Sequence, residues 1–287
     1  KAVHDEIKKG VDGIIVGSGT DNLAVAAAGI TFMVQNSPVP ILFVGSQRSS
    51  DRGSSDAGMN LISAANFIAQ SDFAGVGICM HHTSEDKTCA ILPPTKTYKL
   101  HSSRRDAFRA VDAIPYALVS YPSGEVEYLT KDYAVKSGQE PKVSAAMEDK
   151  VGYLRSHLNM FKEEVTAFKG FKGLVIEGTG MGHMPGYSPN PECEPNKAVF
   201  DAVEDLINDG TVVVMCTQTI YGRVNMNVYD RGRDLQRIGI VSAEDTLANT
   251  ALVKLSWLLA HHKPGDVKDL MSRNMVGEIS ARTLYEK

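Results

Sequence analysis

A hydroxyl and a carboxylate stand side by side in the tripeptide Gly19-Thr20-Asp21. It follows a short apolar run and precedes an amphipathic one, which predicts a turn from a strand into a helix. Ligands of open parallel sheets bind beyond the carboxyl ends of the strands, and a helix N-terminus there favours a carboxylate or an oxyanion. Gly19 allows the backbone to approach a ligand closely. The alternative is that Thr20 or Asp21 only caps the helix.

Lys99, in the run TYKLHSS, is the second candidate for chemistry. A lysine in a strand near a carboxylate can lose its proton and act as a base towards a hydroxyl. The alternative is an ordinary solvated lysine, which is the more common case. Arg104, Arg105 and Arg109 could form a patch for an anion, or they could be exposed partners of Asp106 and other acids.

Two further patterns are weaker indications of a ligand site. Cys79 lies close to His81 and His82, but adjacent strand residues point to opposite faces, so the two histidines cannot easily share an ion and we predict no metal site. The run Gly178–Gly182 follows an apolar strand. It lacks the lysine and hydroxyl of a P-loop and the full spacing of a dinucleotide fingerprint. We interpret it as a loop that allows a close approach between domains.

The surrounding sequence alternates short β-branched runs with amphipathic segments, which is the pattern of an α/β protein. Uniformly apolar strands are expected where helices cover both faces of a parallel sheet. In the first part of the chain we predict strands at Gly13–Gly17, Val39–Gly45 and Gly75–Met80, helices at Asn22–Asn36 and Ala57–Gln70, and a hairpin at Pro115–Leu129.

Residues 131–150 are polar and show no clear period, so we predict a linker there. A second α/β unit is expected to begin near Val151. In it we predict strands at Gly173–Glu177 and Thr211–Cys216, and helices near Lys197–Asn208, Glu244–Ala260 and Asp266–Arg273. The prediction is therefore two α/β domains with mainly parallel sheets, residues 1–145 and 151–287.

Composition is typical of an ordinary globular protein, since 43% of the 287 residues are hydrophobic and 22% are charged. That length favours two domains. The net charge of −4 argues against a nucleic-acid surface on this chain alone. No apolar run approaches the roughly 20 residues that span a bilayer, and no leader pattern is visible. We therefore expect a cytoplasmic protein without membrane contact. The four cysteines form no CxxC pair, which gives no indication of a zinc or redox motif.

Six segments, in this order, carry a resemblance to a known family. They are VDGIIVGSGTDN (11–22), VPILFVGSQRSSDRGSSDAGMN (39–60), KLHSSRRDAF (99–108), GFKGLVIEGTGMGH (170–183), IYGRVNMNVY (220–229) and LVKLSW (252–257). Together they resemble the asparaginase family of amidohydrolases. The variant QRSSDR at Gln47–Arg52 is similar to the D subunits of the archaeal glutamyl-tRNA(Gln) amidotransferases rather than to the free asparaginases. The fold implied is asparaginase-like, and the resemblance covers almost the entire chain.

The resemblance implies hydrolysis of glutamine to glutamate and ammonia, with the ammonia passed to a partner subunit that amidates glutamate mischarged on glutamine tRNA. Lys99 would deprotonate the hydroxyl of Thr20, and Asp21 would position the lysine and bind the substrate amino group, while backbone donors hold the oxyanion. The implied substrate-binding residues are Gly19, Gln47, His183 and Asn225. No cofactor or metal is implied here, because ATP and Mg are used by the partner subunit.

The family also implies a close dimer, in which the second domain of one subunit approaches the first-domain site of the other. Gly182, His183 and the run Arg223–Asn227 are the segments expected to contribute. The alternative is that Asn225 and Asn227 only cap or turn a loop, which asparagine does readily. Contact with tRNA is expected only through the partner subunit, since a chain of charge −4 is poorly equipped to hold it.

Three departures from the family pattern bear on activity. Ser18 replaces the histidine of the signature, and Asn22 replaces the threonine that follows the catalytic pair. The TGGT motif with the family's first threonine has no counterpart, and the chain begins at Lys1 in a helical pattern that ends at Gly10. We therefore expect a piece of a longer protein that is inactive by itself. The alternatives are a free asparaginase or glutaminase, and a non-catalytic scaffold subunit that keeps the fold and the interface.

Overall fold

The structure is a computed structural model, and it describes residues 1–283. It divides into two compact units, Lys1–Ala145 and the residues from Ala146 onward. The first unit ends at the residue where the sequence places the end of the first domain. Each unit has its own sheet and its own core.

The first unit alternates helices and strands up to residue 81 and is mostly strands thereafter. Gly10, at φ 77°, ends the first helix as the sequence predicts. Along the chain the unit contains α1 (Ala2–Lys8), β1 (Ile14–Gly17), α2 (Leu23–Met33), β2 (Val34–Gln35), β3 (Pro40–Val44), α3 (Ala57–Gln70), β4 (Gly75–His81), β5 (Thr88–Leu92), a 3-10 turn (Pro94–Lys96), β6 (Thr97–Lys99), β7 (Phe108–Ala110), β8 (Ala117–Ser120), β9 (Val126–Tyr128) and β10 (Lys142–Val143).

The main sheet of the first unit has the strand order β1-β3-β4-β5-β8-β9. The pairs β1–β3 and β3–β4 are parallel. The pairs β4–β5, β5–β8 and β8–β9 are antiparallel, so this sheet is mixed rather than mainly parallel. The β8–β9 pair confirms the predicted hairpin. Lys99 lies on β6, which pairs with β7 in a separate two-stranded sheet.

The two faces of β3 are covered by different helices, because successive side chains of a strand point to opposite faces. Ile41 and Phe43 pack in one hydrophobic cluster with Leu23 of α2. Leu42 packs on the other side with Phe67 of α3. The central strand is therefore buried throughout, as its uniformly apolar sequence predicts.

The second unit is a parallel α/β layer with the strand order β11-β12-β13-β14. Helix α5 buries one stripe of side chains at helical spacing, Val199, Ala202, Val203 and Leu206. Along the chain this unit contains β11 (Val151–Arg155), α4 (Lys162–Thr166), β12 (Gly173–Gly178), a 3-10 turn (Pro191–Cys193), α5 (Glu194–Asn208), β13 (Val212–Thr217), α6 (Asp230–Arg237), β14 (Val241–Ser242), α7 (Ala248–His261) and α8 (Pro264–Met271).

The sequence did not predict several short elements, among them α4, β11 and β14, and three differences from the prediction are informative. Strand β5 was not predicted, because it runs directly into Pro93 and the irregular stretch that follows. Helix α6, with the sequence DRGRDLQR, buries only Gly232 and Leu235 and so shows no apolar stripe. The predicted linker at 131–150 is partly built into the first unit, since Val135 forms a bridge with Phe73 and β10 pairs with β2. Within residues 1–283, no helix is long and apolar enough to cross a membrane.

Candidate active site

Thr20 and Asp21 lie in the turn between β1 and α2. The backbone N–H of Ser18 donates to the carbonyl of Val44 at 2.9 Å, which extends the β1–β3 pairing one residue towards this turn. Helix α2 begins at Leu23, its N-cap residue is Asn22, and no side chain caps it. The capping interpretation of Thr20 and Asp21 is therefore wrong, and both side chains are available for other contacts.

Lys99 reaches this turn from β6, although it is 79 residues away from Thr20 in sequence. Its Nζ donates to Thr20 Oγ1 at 3.0 Å and to Asp21 Oδ1 at 2.9 Å. The Lys99 side chain is only 19% exposed, whereas that of Asp21 is 93% exposed. The hydrogen bond from Lys99, and then its charge, lower the pKa of Asp21. Lys99 is thus not the solvated lysine of the alternative interpretation.

The packing of two short elements explains how Lys99 arrives there. The 3-10 turn Pro94–Lys96 packs against α2 and leads directly into β6. Phe108, the residue opposite Lys99 in the β6–β7 pair, is buried in the core cluster that contains Leu23 of α2. Burial of these apolar neighbours holds the strand beside α2, and the lysine side chain then extends to the turn.

The loop after β3 carries Gln47, one of the predicted substrate-binding residues. Its side-chain amide donates to the carbonyl of Arg104 at 3.0 Å, which ties this loop to the segment after Lys99. Its backbone N–H donates to Asp56 Oδ2 at 3.1 Å. Gly19, the other predicted binding residue of this unit, is exposed, and an added Cβ there would meet no atom within 4 Å.

The arginines after Lys99 are engaged in ion pairs. Arg104 binds Asp106 through Nε at 2.9 Å and Nη2 at 2.7 Å. Arg109 also reaches Asp106, at 2.7 Å, and Arg105 pairs with Asp86. Burial acts to raise the pKa of Asp106, but the bonds and charges of the two arginines lower it overall. These contacts favour the ion-pair interpretation over a patch for an anion.

His183 and Asn225 lie in the second unit, on two loops that contact each other. The Asn225 N–H donates to the carbonyl of Met181 at 2.9 Å. The His183 ring packs edge-on against Tyr229, with centroids 5.5 Å apart. The Asn225 side-chain oxygen accepts the N–H of Asn227 at 3.2 Å, so it does turn its own loop.

The glycines of the Gly178–Gly182 loop permit close packing inside the second unit. A Cβ at Gly178 would lie 2.6 Å from Met215 Sδ, and one at Gly182 would lie 2.7 Å from Val224 Cγ1. Each distance is shorter than a carbon side chain tolerates, and Gly182 also has φ at 100°. The loop thus needs glycine at these two positions for packing inside the second unit.

Sequence reasoning missed the most buried polar group of the site region. Asp56, the N-cap residue of α3, and Asn60, one turn later, are both completely buried. Asn60 Oδ1 lies 2.6 Å from His81 Nδ1, so His81 belongs to a hydrogen-bond network. The available signal in the sequence was a pair of polar residues, four apart, at the start of a predicted helix. Among the described residues, no group of three or more His, Cys, Asp or Glu side chains is arranged to hold a metal ion.

Comparison with known proteins gives the same fold. The sequence model described as "Asparaginase, N-terminal" matches residues 1–133, and that of the "Glutaminase/Asparaginase C-terminal domain" matches residues 150–271. The thermostable L-asparaginase from Thermococcus kodakarensis superimposes with a TM-score of 0.84 at 27% identity, covering 98% of this chain and 80% of that one. L-asparaginase I from Vibrio cholerae, at 22% identity and a TM-score of 0.80, has the same fold. The chain therefore belongs to the asparaginase family.

Its curated relatives define the branch of that family more narrowly. The D subunit of the glutamyl-tRNA(Gln) amidotransferase of Pyrococcus abyssi is 40% identical over 100% of this chain and 64% of its own length. The corresponding D subunit of Methanococcus maripaludis strain C7 is 40% identical over 98% of this chain and 65% of its own length. The chain resembles these subunits across its whole extent, and it spans less than two thirds of their length.

Proposed function

We propose that this chain is the amide-hydrolysing part of a glutaminase subunit of a glutamyl-tRNA(Gln) amidotransferase. The observation that carries the proposal is the contact of Lys99 Nζ with Thr20 Oγ1 at 3.0 Å and with Asp21 Oδ1 at 2.9 Å. Both distances lie within the range of about 2.6–3.2 Å that proton transfer needs. The relatives named as amidotransferase subunits support glutamine as the substrate.

The proposed chemistry follows from the contacts of Lys99 with Thr20 and Asp21. Lys99, in its amine form, would accept the proton of the Thr20 hydroxyl as the Thr20 oxygen attacks the side-chain amide carbon of the substrate. Asp21 would hold the lysine and, through its exposed oxygen, receive the amino group of the substrate. The amide C–N bond then breaks, and the nitrogen leaves as ammonia with the proton returned from Lys99, which leaves the acyl group as an ester on Thr20. A water that gives a proton to Lys99 would then attack the ester carbon. The C–O bond to Thr20 breaks, Thr20 regains its proton from Lys99, and glutamate is released.

A test of this site uses the gene product that contains the chain, with glutamine as substrate and ammonia as the measured product. Lys99→Met should lower kcat by about 10²–10⁴-fold, the usual contribution of a general base. Lys87→Met is the matched control, because Lys87 is an exposed lysine of the same unit whose contact is Glu85. Equal rates for the two variants would exclude Lys99 from the chemistry.

The ammonia would pass to a second subunit that amidates glutamate on glutamine tRNA. The names of the relatives support such an assembly, and a chain of charge −4 needs a partner to hold tRNA. Pull-down from the native host should therefore recover a larger tRNA-binding subunit. Light scattering should give the mass of a dimer, which is expected if two copies associate through a large two-fold interface. A monomer that recovers no partner would contradict this part of the proposal.

The free asparaginase is the second candidate, and the structural similarity to the Thermococcus kodakarensis enzyme favours it. The two candidates share the chemistry of Thr20, Asp21 and Lys99 and differ in substrate and partner. Competition between glutamine and asparagine separates them through the ratio of the two kcat/KM values. A preference for asparagine in a protein without a tRNA-binding partner would establish the second candidate.

A further inference from the structure

A buried carboxylate organises the loop that follows β3. Asp56 is completely buried and accepts hydrogen bonds from four groups. The donors are Ser46 Oγ at 2.9 Å, the Gln47 N–H at 3.1 Å, the Arg48 N–H at 2.8 Å and Asn60 Nδ2 at 3.0 Å. Burial acts to raise the pKa of Asp56, but the backbone and hydroxyl donors lower it overall. A carboxylate with this many donors fixes the path of the loop.

Asn60 connects this carboxylate to the strand end and to β4. Its Nδ2 donates to the Gly45 carbonyl at 3.0 Å as well as to Asp56. Its Oδ1 lies 2.6 Å from His81 Nδ1 and accepts the Cys89 thiol at 3.3 Å. Gly45 directly follows β3, His81 is on β4 and Cys89 is on β5, so Asn60 links the ends or interiors of three strands to α3. A fully satisfied buried network of this kind is rigid.

Gly45 connects this hydrogen-bond network to Thr20, because the two residues pack closely. A Cβ at Gly45 would lie 3.0 Å from Thr20 Cγ2, 2.8 Å from Leu23 Cδ1 and 3.0 Å from the Ser18 carbonyl. The bare backbone of Gly45 therefore forms the surface against which the Thr20 side chain lies. Any displacement of Gly45 moves the support of the Thr20 hydroxyl relative to Lys99.

We propose that Asp56 and Asn60 are positioning residues that hold Gly45 against Thr20 and thereby set the geometry of the Thr20–Lys99 contact. The proposal rests on the proposed function for its kinetic consequence and on packing alone for its structural one. Neither residue touches Thr20, Asp21 or Lys99. Their effect runs through the backbone of Gly45, whose carbonyl accepts the Asn60 amide and whose Cα has no room for a side chain beside Thr20.

The first test compares two asparagines of α3. Asn60→Leu removes the amide that binds Gly45 and Asp56, whereas Asn66→Leu makes the same change in a half-buried residue nearer the end of the helix. We expect Asn60→Leu to lower kcat about 10- to 100-fold, the size that a displacement of about 1 Å produces, with a smaller change in KM. Asn66→Leu should keep the kcat of the unaltered protein.

The second test leaves the polar network intact. Gly45→Ala places a methyl group against Thr20, and Gly45 does not have a positive φ, so backbone strain is not the cause of the effect. Gly53→Ala is the control in the same loop, because an added Cβ there meets no atom within 4 Å. Gly45→Ala should reproduce the loss of kcat, and Gly53→Ala should not.

Hydrogen exchange measures the effect of Asn60 on the Thr20 turn without an activity assay. The Arg48 N–H is bound by Asp56 and the Ser18 N–H by the Val44 carbonyl. In Asn60→Leu both should exchange about tenfold faster, which is the effect of about 1.4 kcal/mol on an opening equilibrium. Faster exchange at Arg48 with unchanged exchange at Ser18 would overturn the proposal. An inactive unaltered protein would refute the proposed function alone, since the exchange result stands by itself.

Discussion

A buried ion pair in the second unit gives a prediction that can be worked from the structure. Lys254 of α7 and Glu278 are both completely buried, with Nζ and Oε1 2.6 Å apart. Lys254 also donates to the carbonyls of Met271 at 3.0 Å and Arg273 at 2.6 Å. Burial lowers the pKa of Lys254, and Glu278 opposes that effect. The pair therefore fastens the segment after α8 to α7.

Lys254→Met removes the charge and leaves three acceptors without their donor. Breaking a buried pair by removal of one partner costs about 3–5 kcal/mol, because the remaining charge is buried without compensation. At about 2–4 °C per kcal/mol for a unit of this size, Tm should fall by about 6–20 °C.

Intrinsic fluorescence provides a local assay, since Trp257 is the single tryptophan of the chain and lies on α7, nearly buried. Urea unfolding followed at this residue reports the second unit directly. The double variant Lys254→Met/Glu278→Leu should be more stable than the sum of the single variants predicts, with a coupling of about 2 kcal/mol. The double variant should still be less stable than the unaltered protein, because Glu278 also accepts the N–H groups of Met275 and Val276.

Lys197→Met is the matched control, because it removes a lysine whose pair with Asp201 is exposed on α5. Such pairs contribute little, so its urea midpoint should equal that of the unaltered protein. Lys254→Met could unfold at the same urea concentration as this control, or the losses of unfolding free energy in the two single variants could simply add. Either result would show that the buried pair does not hold the segment.

Three further predictions concern the site and the second unit. Asp21→Asn should lower kcat for glutamine while leaving the unfolding midpoint unchanged, because this side chain is exposed; an unchanged kcat would contradict its role. The pKa of Asp56 is below its ordinary value of 3.8, so its contribution to stability is present above that pH and is lost as the pH falls through the lower folded value. Asp56→Asn should therefore reduce the fall in the free energy of unfolding with decreasing pH, measured by urea unfolding from pH 7 to pH 3. An equal fall in the variant and in the unaltered protein would contradict the lowered pKa of Asp56. Arg223→Met removes the 2.8 Å bond to the Ser280 carbonyl and should speed proteolysis of the segment beyond residue 274; equal cleavage rates would contradict this contact.

The sequence by itself determined the elements whose periodicity is strong. Helix α3 begins and ends at the predicted residues Ala57 and Gln70, although its buried face combines the apolar Met59, Ala64 and Phe67 with the polar Asn60 and Ser63. The two central strands of the second unit, β12 and β13, were predicted to within one residue, because a buried strand is apolar throughout. Ser18, Thr20 and Asp21 were placed correctly at the end of β1 because strand, glycine and helix follow one another there.

The resemblance to the asparaginase family predicted that Lys99 acts on Thr20, but only the tertiary structure shows how the chain brings the two residues together. No local pattern relates Lys99 to Thr20, because their contact depends on the packing of β6 and the 3-10 turn against α2. The pairing direction of β5 was equally hidden, since an apolar strand can lie in either direction beside its neighbour. Asp56 and Asn60 look like ordinary polar residues near a helix start. Burial turns them into the centre of a network, and burial is a property of the folded chain rather than of the local sequence.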